Sequence, residues 1–216
     1  MDFIGALSVD HLKFLGTGFM VTLYIAFISI FLSFIIGIVI GTLRYAKISV
    51  LSKVIAVIVE TIRNTPLLLI IFFTFFALPE IGIKMSKPVA AITALTVFTS
   101  AMLSEIVRGG LNSIDKGQME AARSSGLTYI QALFKIIMPQ ALRRMVPPIV
   151  SQFISLLKDT SLCVIIALPE LMRNAQIIYA QNINYIIPIF IVISIMYFVV
   201  NYGLSLVARR LESRQV

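Results

Sequence analysis

Glu120-Ala-Ala-Arg-Ser-Ser-Gly126-Leu-Thr-Tyr-Ile-Gln-Ala-Leu-Phe-Lys-Ile136-Ile-Met-Pro139 is an amphipathic island in a chain that is otherwise mostly apolar. Gly126 is expected to close a first helical turn, since glycine best tolerates the left-handed backbone at a helix end. Thr128, with Gln131 three residues later, has the form of a capping box that opens a second short helix. In that helix Ile130, Leu133, Phe134 and Ile137 recur at helical spacing, while Thr128, Gln131 and Lys135 share the other side. Both pieces are too short to span a bilayer. The pair is therefore expected at the membrane surface, with one face offered to another protein.

The rest of the chain sets that island in context. Of 216 residues, 59% are hydrophobic and only 13% charged, against about half and about a quarter in soluble domains, so the composition is that of an integral membrane protein. The formal net charge of +8 is explained by basic residues collected in cytoplasmic loops and calls for no nucleic-acid partner. Cys163 is the single cysteine, which excludes disulfide and cysteine-metal frameworks. The lone His11 reads as an interfacial polar residue, because transition-metal sites need several ligands.

Five hydrophobic spans stand near the ~20 residues a bilayer core requires, at roughly 17–43, 53–78, 88–111, 145–168 and 184–208. Residues 1–16 carry Asp2, Asp10, His11 and Lys13 and lack the plan of a cleavable signal peptide. Phe3, Ile4, Leu7, Phe14 and Leu15 fall near one helical face, which predicts a short helix lying in the interface. The organisation expected is an interfacial segment 1–16, a five-span domain 17–208 containing a surface loop 113–140, and a tail 209–216. One side of the membrane receives Arg44, Lys47, Lys53, Arg108, Lys116, Arg123, Lys135, Arg143, Arg144, Arg209, Arg210 and Arg214; the other receives Lys13, Lys84, Lys87 and Arg173. The bias places the N-terminus outside, and the island and C-terminus in the cytoplasm.

The spans carry polar interruptions. Pro66, Pro147-Pro148 and Pro188 each remove a backbone donor and predict kinks. Glu60, Arg63, Lys158 and Asp159 are costly in a bilayer unless they are paired or face the bundle interior. Glu60 and Arg63 are three apart and can pair, and so can Glu105 and Arg108 at a helix end. Lys158 and Asp159 are adjacent, hence about 100° apart on a helix, and cannot share one partner. Asp159 with Thr160 and Ser161 makes a polar cluster inside the fourth span. There is no phosphate-binding G-x-x-x-x-G-K-[ST] loop, and one His and one Cys cannot build a hydrolytic triad.

The island resembles the EAA loop of the membrane subunits of ATP-binding-cassette importers, with Glu120, Ala121, Ala122, Gly126, Ile136 and Pro139 in register and Met138 in place of the usual Leu. Glu60-Thr-Ile-Arg-Asn-Thr-Pro-Leu-Leu69, Ser104-Glu-Ile-Val-Arg-Gly-Gly110 and Lys158-Asp-Thr-Ser-Leu162 resemble the polar amino-acid permease branch, with Asn64 where that branch usually has Gly.

The resemblance implies an all-α integral membrane protein of the type I importer permease fold, with five transmembrane helices and a cytoplasmic coupling-helix pair. It implies no enzymatic activity in this chain, no cofactor of its own, and ATP bound by a partner ATPase subunit docked under the loop. The further partners implied are a second permease subunit (expected to be a second copy), an extracytoplasmic solute-binding protein and an amino-acid substrate, all in a bacterial cytoplasmic membrane. The candidate substrate residues are Glu60, Arg63, Asn64, Thr65, Lys158, Asp159, Thr160 and Ser161. The acids Glu60 and Asp159 favour a basic amino acid as cargo, with glutamine or another polar amino acid as the alternative. An ion-coupled secondary transporter is the competing mechanism, and a non-transporting scaffold gives no reason for these motifs.

Overall fold

Ser8 accepts from the His11 N–H at 3.4 Å and starts a helix that does not stop until the far side of the bundle. In the computed structural model, which describes residues 1–46 and 49–213, this helix, α2, runs Val9–Tyr45 and follows the single turn α1 at Phe3–Ala6. Helix α2 thus begins inside the segment 1–16 expected at the interface, and only the first eight residues of that segment lie outside it. No proline interrupts residues 9–45, so nothing stops the helix once it is capped. Lys47, Arg214 and the end of the tail, counted in the charge argument above, lie outside the described residues.

The second span breaks where a kink was expected. Helix α3, Ser49–Arg63, and helix α4, Leu67–Phe72, meet across Asn64-Thr65-Pro66 at a bend of 101°. The side chains before the proline make the break tolerable. Thr65 Oγ1 donates to the Thr61 carbonyl at 2.8 Å, satisfying an acceptor that a continuing helix would have used, and Asn64 Nδ2 adds a second donor to the Glu60 carbonyl at 2.8 Å. From α4 the chain continues through a π-helical turn, Phe73–Ala77, and a tight turn, Leu78–Ile81, to Gly82 at φ +88.

Helix α5, Lys87–Asn112, returns through the bundle. The island follows as α6, Lys116–Ser124, and α7, Tyr129–Ala132. The second helix of the island is not short. It passes through a π-helical turn, Leu133–Ile137, into α8, Met138–Asp159, and a tighter turn, Thr160–Ile166, making one 38-residue helical stretch with the fourth span. Pro139 falls in the first turn after the π segment, where the hydrogen-bond pattern has already shifted and its missing N–H leaves no gap. After α9, Leu171–Tyr179, helix α10 runs Ile186–Ser213. Pro188 lies in its first turn, where a donor is not needed, so the kink expected there is absent. Among the described residues four helices are long and apolar enough to cross a membrane, and the bent pair makes a fifth crossing if taken as one span.

The most extensive pairing in the bundle is α2 on α5, and small residues make it. Ser29, Ser33, Gly37 and Gly41 recur every four residues on α2 and are all buried. A Cβ at Gly37 would stand 2.6 Å from Leu103 Cβ, and one at Gly41 would stand 2.6 Å from the Ser104 carbonyl oxygen. In lipid, where burial against a neighbour gains no hydrophobic energy, such close backbone approach supplies the packing. A buried apolar layer toward one end of the bundle joins Ile25, Leu67, Ile71, Leu95, Cys163 and Ile166 from four stretches of chain. A second, at the other end, joins α5 to the island and α8.

Candidate functional site

The island is held from inside and open from outside. Ala122 is buried, whereas Glu120 and Ala121 are exposed, and Glu120 makes no hydrogen bond or ion pair among the described residues. Gly126 adopts φ +88, and the Leu127 N–H reaches the Ala122 carbonyl at 3.2 Å, closing α6 with the six-to-one bond that a left-handed cap permits. The Thr128 capping box is present in both directions, Gln131 N–H to Thr128 Oγ1 at 3.3 Å and Thr128 N–H to Gln131 Oε1 at 3.0 Å. The apolar face expected over Ile130, Leu133, Phe134 and Ile137 is divided between two partners. Leu133 and Ile137 are buried, Ile136 packs at the edge of the same layer and Pro139 is exposed, while Ile130 (66% exposed) and Phe134 (58% exposed) point away from the bundle.

Leu133 and Ile137 continue through Ala141 and Met145 along one face of α8 and pack on Leu103, Val107 and Leu111 of α5. The island is thus packed onto two membrane helices through close-packed side chains. A cleft of about 390 Å³ lies on the island's inner side, between Tyr45 at the end of α2, Asp115, Glu120 and Tyr129.

The charged motifs converge in a way that local spacing did not indicate. Glu60 and Arg63 barely meet, at 4.0 Å, and Arg63 also reaches Glu105 at 3.8 Å. Glu105 is the centre of the group: Arg108 binds it from the same helix and Arg44 donates to it from α2 at 2.8 Å. Arg44 was read only as a topological charge, and its side chain is 7% exposed. Nothing in its local sequence distinguishes it from other basic residues at span ends. Glu60 remains largely exposed, and Asn64 and Thr65 spend donors on the end of α3.

The second polar group sits where α8 tightens. Lys158 is exposed, Asp159 half-buried and Thr160 buried, in line with the divergence expected of adjacent residues. Thr160 and Ser161 return their hydroxyl protons to the carbonyls of Leu157 and Lys158, both at 2.7 Å. Lys158 and Ser161 line an open cleft of about 440 Å³ with Ser194, Tyr197 and Asn201 of α10. Helix α4 packs on the Thr160–Ile166 turn, so the Pro66 break and the Asp159 group adjoin through Leu67, Ile71, Cys163 and Ile166. Among the described residues no hydrogen bond or ion pair joins the two polar groups directly.

Glu170, a residue the sequence does not single out, is completely buried in the segment between the last two long spans. It caps α9, accepting from Met172 N–H at 2.9 Å and Arg173 N–H at 2.7 Å, and Tyr197 approaches it at 3.5 Å. Burial pushes its carboxyl up to about 7, against the pull of those hydrogen bonds. The signal available in the sequence was the Pro169-Glu170 pair just before a helical run, an acidic cap at a helix start. His11 Nδ1 lies 3.1 Å from the carbonyl oxygens of both Gly5 and Ala6, which fits an interfacial polar residue.

Comparison with known proteins places this arrangement. The chain is 73% identical over 217 residues, with full coverage of both, to the probable glutamine ABC transporter permease protein GlnP of Bacillus subtilis (strain 168). It is 37% identical to the probable glutamine ABC transporter permease protein GlnM of the same organism, over 95% of this chain and 94% of that one. A solved structure of an amino acid ABC transporter with histidines superposes with a TM-score of 0.90 at 30% identity, covering 99% of each chain. The profile of the binding-protein-dependent transport system inner membrane components matches residues 33–216, which include the broken second span, the Glu105 cluster and the whole island. On that match, and on a bundle whose island is packed against its membrane helices, the chain belongs to the family of binding-protein-dependent transport system inner membrane components.

Proposed function

We propose that this chain is the permease subunit of an ATP-driven importer whose cargo is glutamine. The observation that carries the proposal is the 73% identity along the full length to a probable glutamine permease. The geometry is compatible with it: Glu60 shares its charge with Arg63, which leaves an uncharged, polar cargo without an unmatched partner. Membership in the family brings an ATPase, a binding protein and a second permease as partners. The finer reading is that the second permease is another copy of this chain, that ATP is held only by the partner ATPase, and that this chain carries no cofactor. The N-terminus lies outside and the C-terminus in the cytoplasm.

Coupling is assigned to the loop 113–140. Ile130 and Phe134 present apolar surface outside the bundle, beside Glu120 and Ala121, where an ATPase can seat them. Closure of the ATPases moves the island, and the Leu133–Ile137 contacts carry the movement into α5 and α8. The path for cargo is assigned to Glu60, Arg63, Asn64 and Thr65 at the broken span and to Lys158, Asp159, Thr160 and Ser161 at the tightened end of α8. The two end states differ in how the island is held, which is the differential contact that coupling requires.

The runner-up cargo is a basic amino acid, favoured by the exposure of Glu60 and by a half-buried Asp159 that, among the described residues, makes no hydrogen bond or ion pair. Reconstitution of the permease with its ATPase and binding protein decides between them. Glutamine is expected to stimulate ATP hydrolysis more than arginine does. If arginine stimulates and glutamine does not, and Glu60→Gln with Asp159→Asn removes that response, the basic reading replaces this one. Uptake that proceeds without the ATPase would instead return the ion-coupled mechanism.

A further inference from the structure

Three helices bring charged side chains to one point: Arg44 from α2, Glu60 and Arg63 from α3, and Glu105 and Arg108 from α5. Three guanidinium groups against two carboxylates leave one positive charge in excess. The Arg44 side chain is more than nine-tenths buried, yet its Nε has no acceptor, and the Nε of Arg63 is also buried without one. Unmade hydrogen bonds of buried groups are costly. An anion at this point would answer both the charge and the donors.

Immediately beside the cluster lies an apolar cleft of about 220 Å³, between Ile36 and Ile40 of α2, Ile58 and Val59 of α3, and Val97 and Ala101 of α5. Each helix carries its charged residue one turn beyond a residue of the cleft: Ile40 then Arg44, Val59 then Arg63, Ala101 then Glu105. The Arg44–Glu105 and Arg63–Glu105 contacts join these residues, so cleft and cluster adjoin as one site with an apolar part and a cationic part. Ile36, Ile58 and Val97 are each about two-fifths exposed or more, so the apolar part opens away from the bundle.

We propose that this site binds an anionic phospholipid, with an acyl chain along the Ile40–Ile58–Val97 cleft and the phosphate on the arginine cluster. Basic residues between transmembrane helices and near the cytoplasmic surface attract anionic headgroups, while a zwitterionic lipid offers a phosphate already compensated by its own amine. A second copy of the chain fits less well, because a two-fold contact through this face would set one net-positive cluster against another. Occupancy would hold α3 against α2 and α5 at the near side of the Pro66 break.

Native mass spectrometry of the purified permease, given equal amounts of dioleoyl phosphatidylglycerol and dioleoyl phosphatidylcholine, tests the proposal without reference to transport. Phosphatidylglycerol should be retained over phosphatidylcholine by about fivefold, the preference expected of roughly one net charge near the membrane surface. Arg63→Gln should abolish that preference and Arg63→Lys should keep most of it. Ile58→Trp, which fills the cleft and leaves every charge in place, should lower retention of both lipids. Inorganic phosphate should not displace the lipid; displacement would make the site one for a free anion and overturn the lipid assignment. Equal retention of the two lipids by the unaltered protein would also overturn it. So would an Ile58→Trp variant that loses its partner subunit while keeping its lipid, which would make the cleft a contact between permeases.

Discussion

Glu105 is a single carboxylate facing three guanidinium groups, so its removal should hurt more than removal of the more exposed Glu60 beside it. Loss of one partner from a largely buried ionic group strands the others. Glu105→Gln is expected to destabilise the permease by about 3 kcal/mol, and Glu60→Gln by under about 1 kcal/mol. Thermal unfolding of the two variants in the same detergent checks the order. Glu170 makes a prediction about pH. Its carboxyl is raised from 4.5 to about 7, so the folded chain holds a proton there that the unfolded chain releases. The contribution is therefore complete below pH 4.5, declines as pH rises, and is lost above about 7. The linked change is about 3 kcal/mol. Melting curves between pH 5 and 8 should slope downward for the unaltered chain and flatten for Glu170→Gln. An unchanged slope in that variant would place the effect on another group.

At the scale of the element, α2 and α5 show where packing in a membrane comes from. The Ser29-Ser33-Gly37-Gly41 stripe lets the two backbones meet, and Gly41 faces the Ser104 carbonyl with no room for a side chain. Gly41→Val is expected to cost about 3 kcal/mol through forced separation of the pair. Gly16→Ala on the same helix meets nothing within 4 Å of its new Cβ. It should be neutral or gain up to about 1 kcal/mol from helix propensity. Comparing the two by unfolding in detergent separates a packing glycine from an incidental one. The four-residue spacing of the stripe is visible in the sequence, but its partner is not: α5 carries small residues on several faces, and only the assembled pair selects Ser100, Leu103 and Ser104. The proline breaks show the same division. Pro66, Pro147-Pro148 and Pro188 are equally legible as letters, yet one ends a helix, one pair is carried inside a helix and one falls harmlessly in a first turn.

For the whole molecule, the test of the coupling role is a variant that leaves the bundle intact. Gly126 sits at φ +88 with open space around it, so Gly126→Asp strains only the cap of α6, by about 1–2 kcal/mol. The expected result is a permease that inserts and keeps its melting behaviour within that margin but no longer passes ATP hydrolysis to transport. Undiminished uptake by the variant, with its ATPase bound, would remove the island from the mechanism.

Composition, basic bias and the spacing of the island determined that the chain is a bundle of about five spans with one surface loop. Those properties depend on the transfer of residues between water and lipid, and each residue contributes without knowing its neighbours. The capping box and the Gly126 cap were equally legible, because their hydrogen bonds close within six residues. The tertiary structure alone decided which apolar residues of the island face in and which face out. It alone made Glu105 the centre of a three-helix cluster that includes Arg44, and buried Glu170. Those outcomes rest on contacts between residues far apart in the chain, such as Arg44 with Glu105, 61 positions away. Their energies depend on which helices are neighbours, and no local pattern states that.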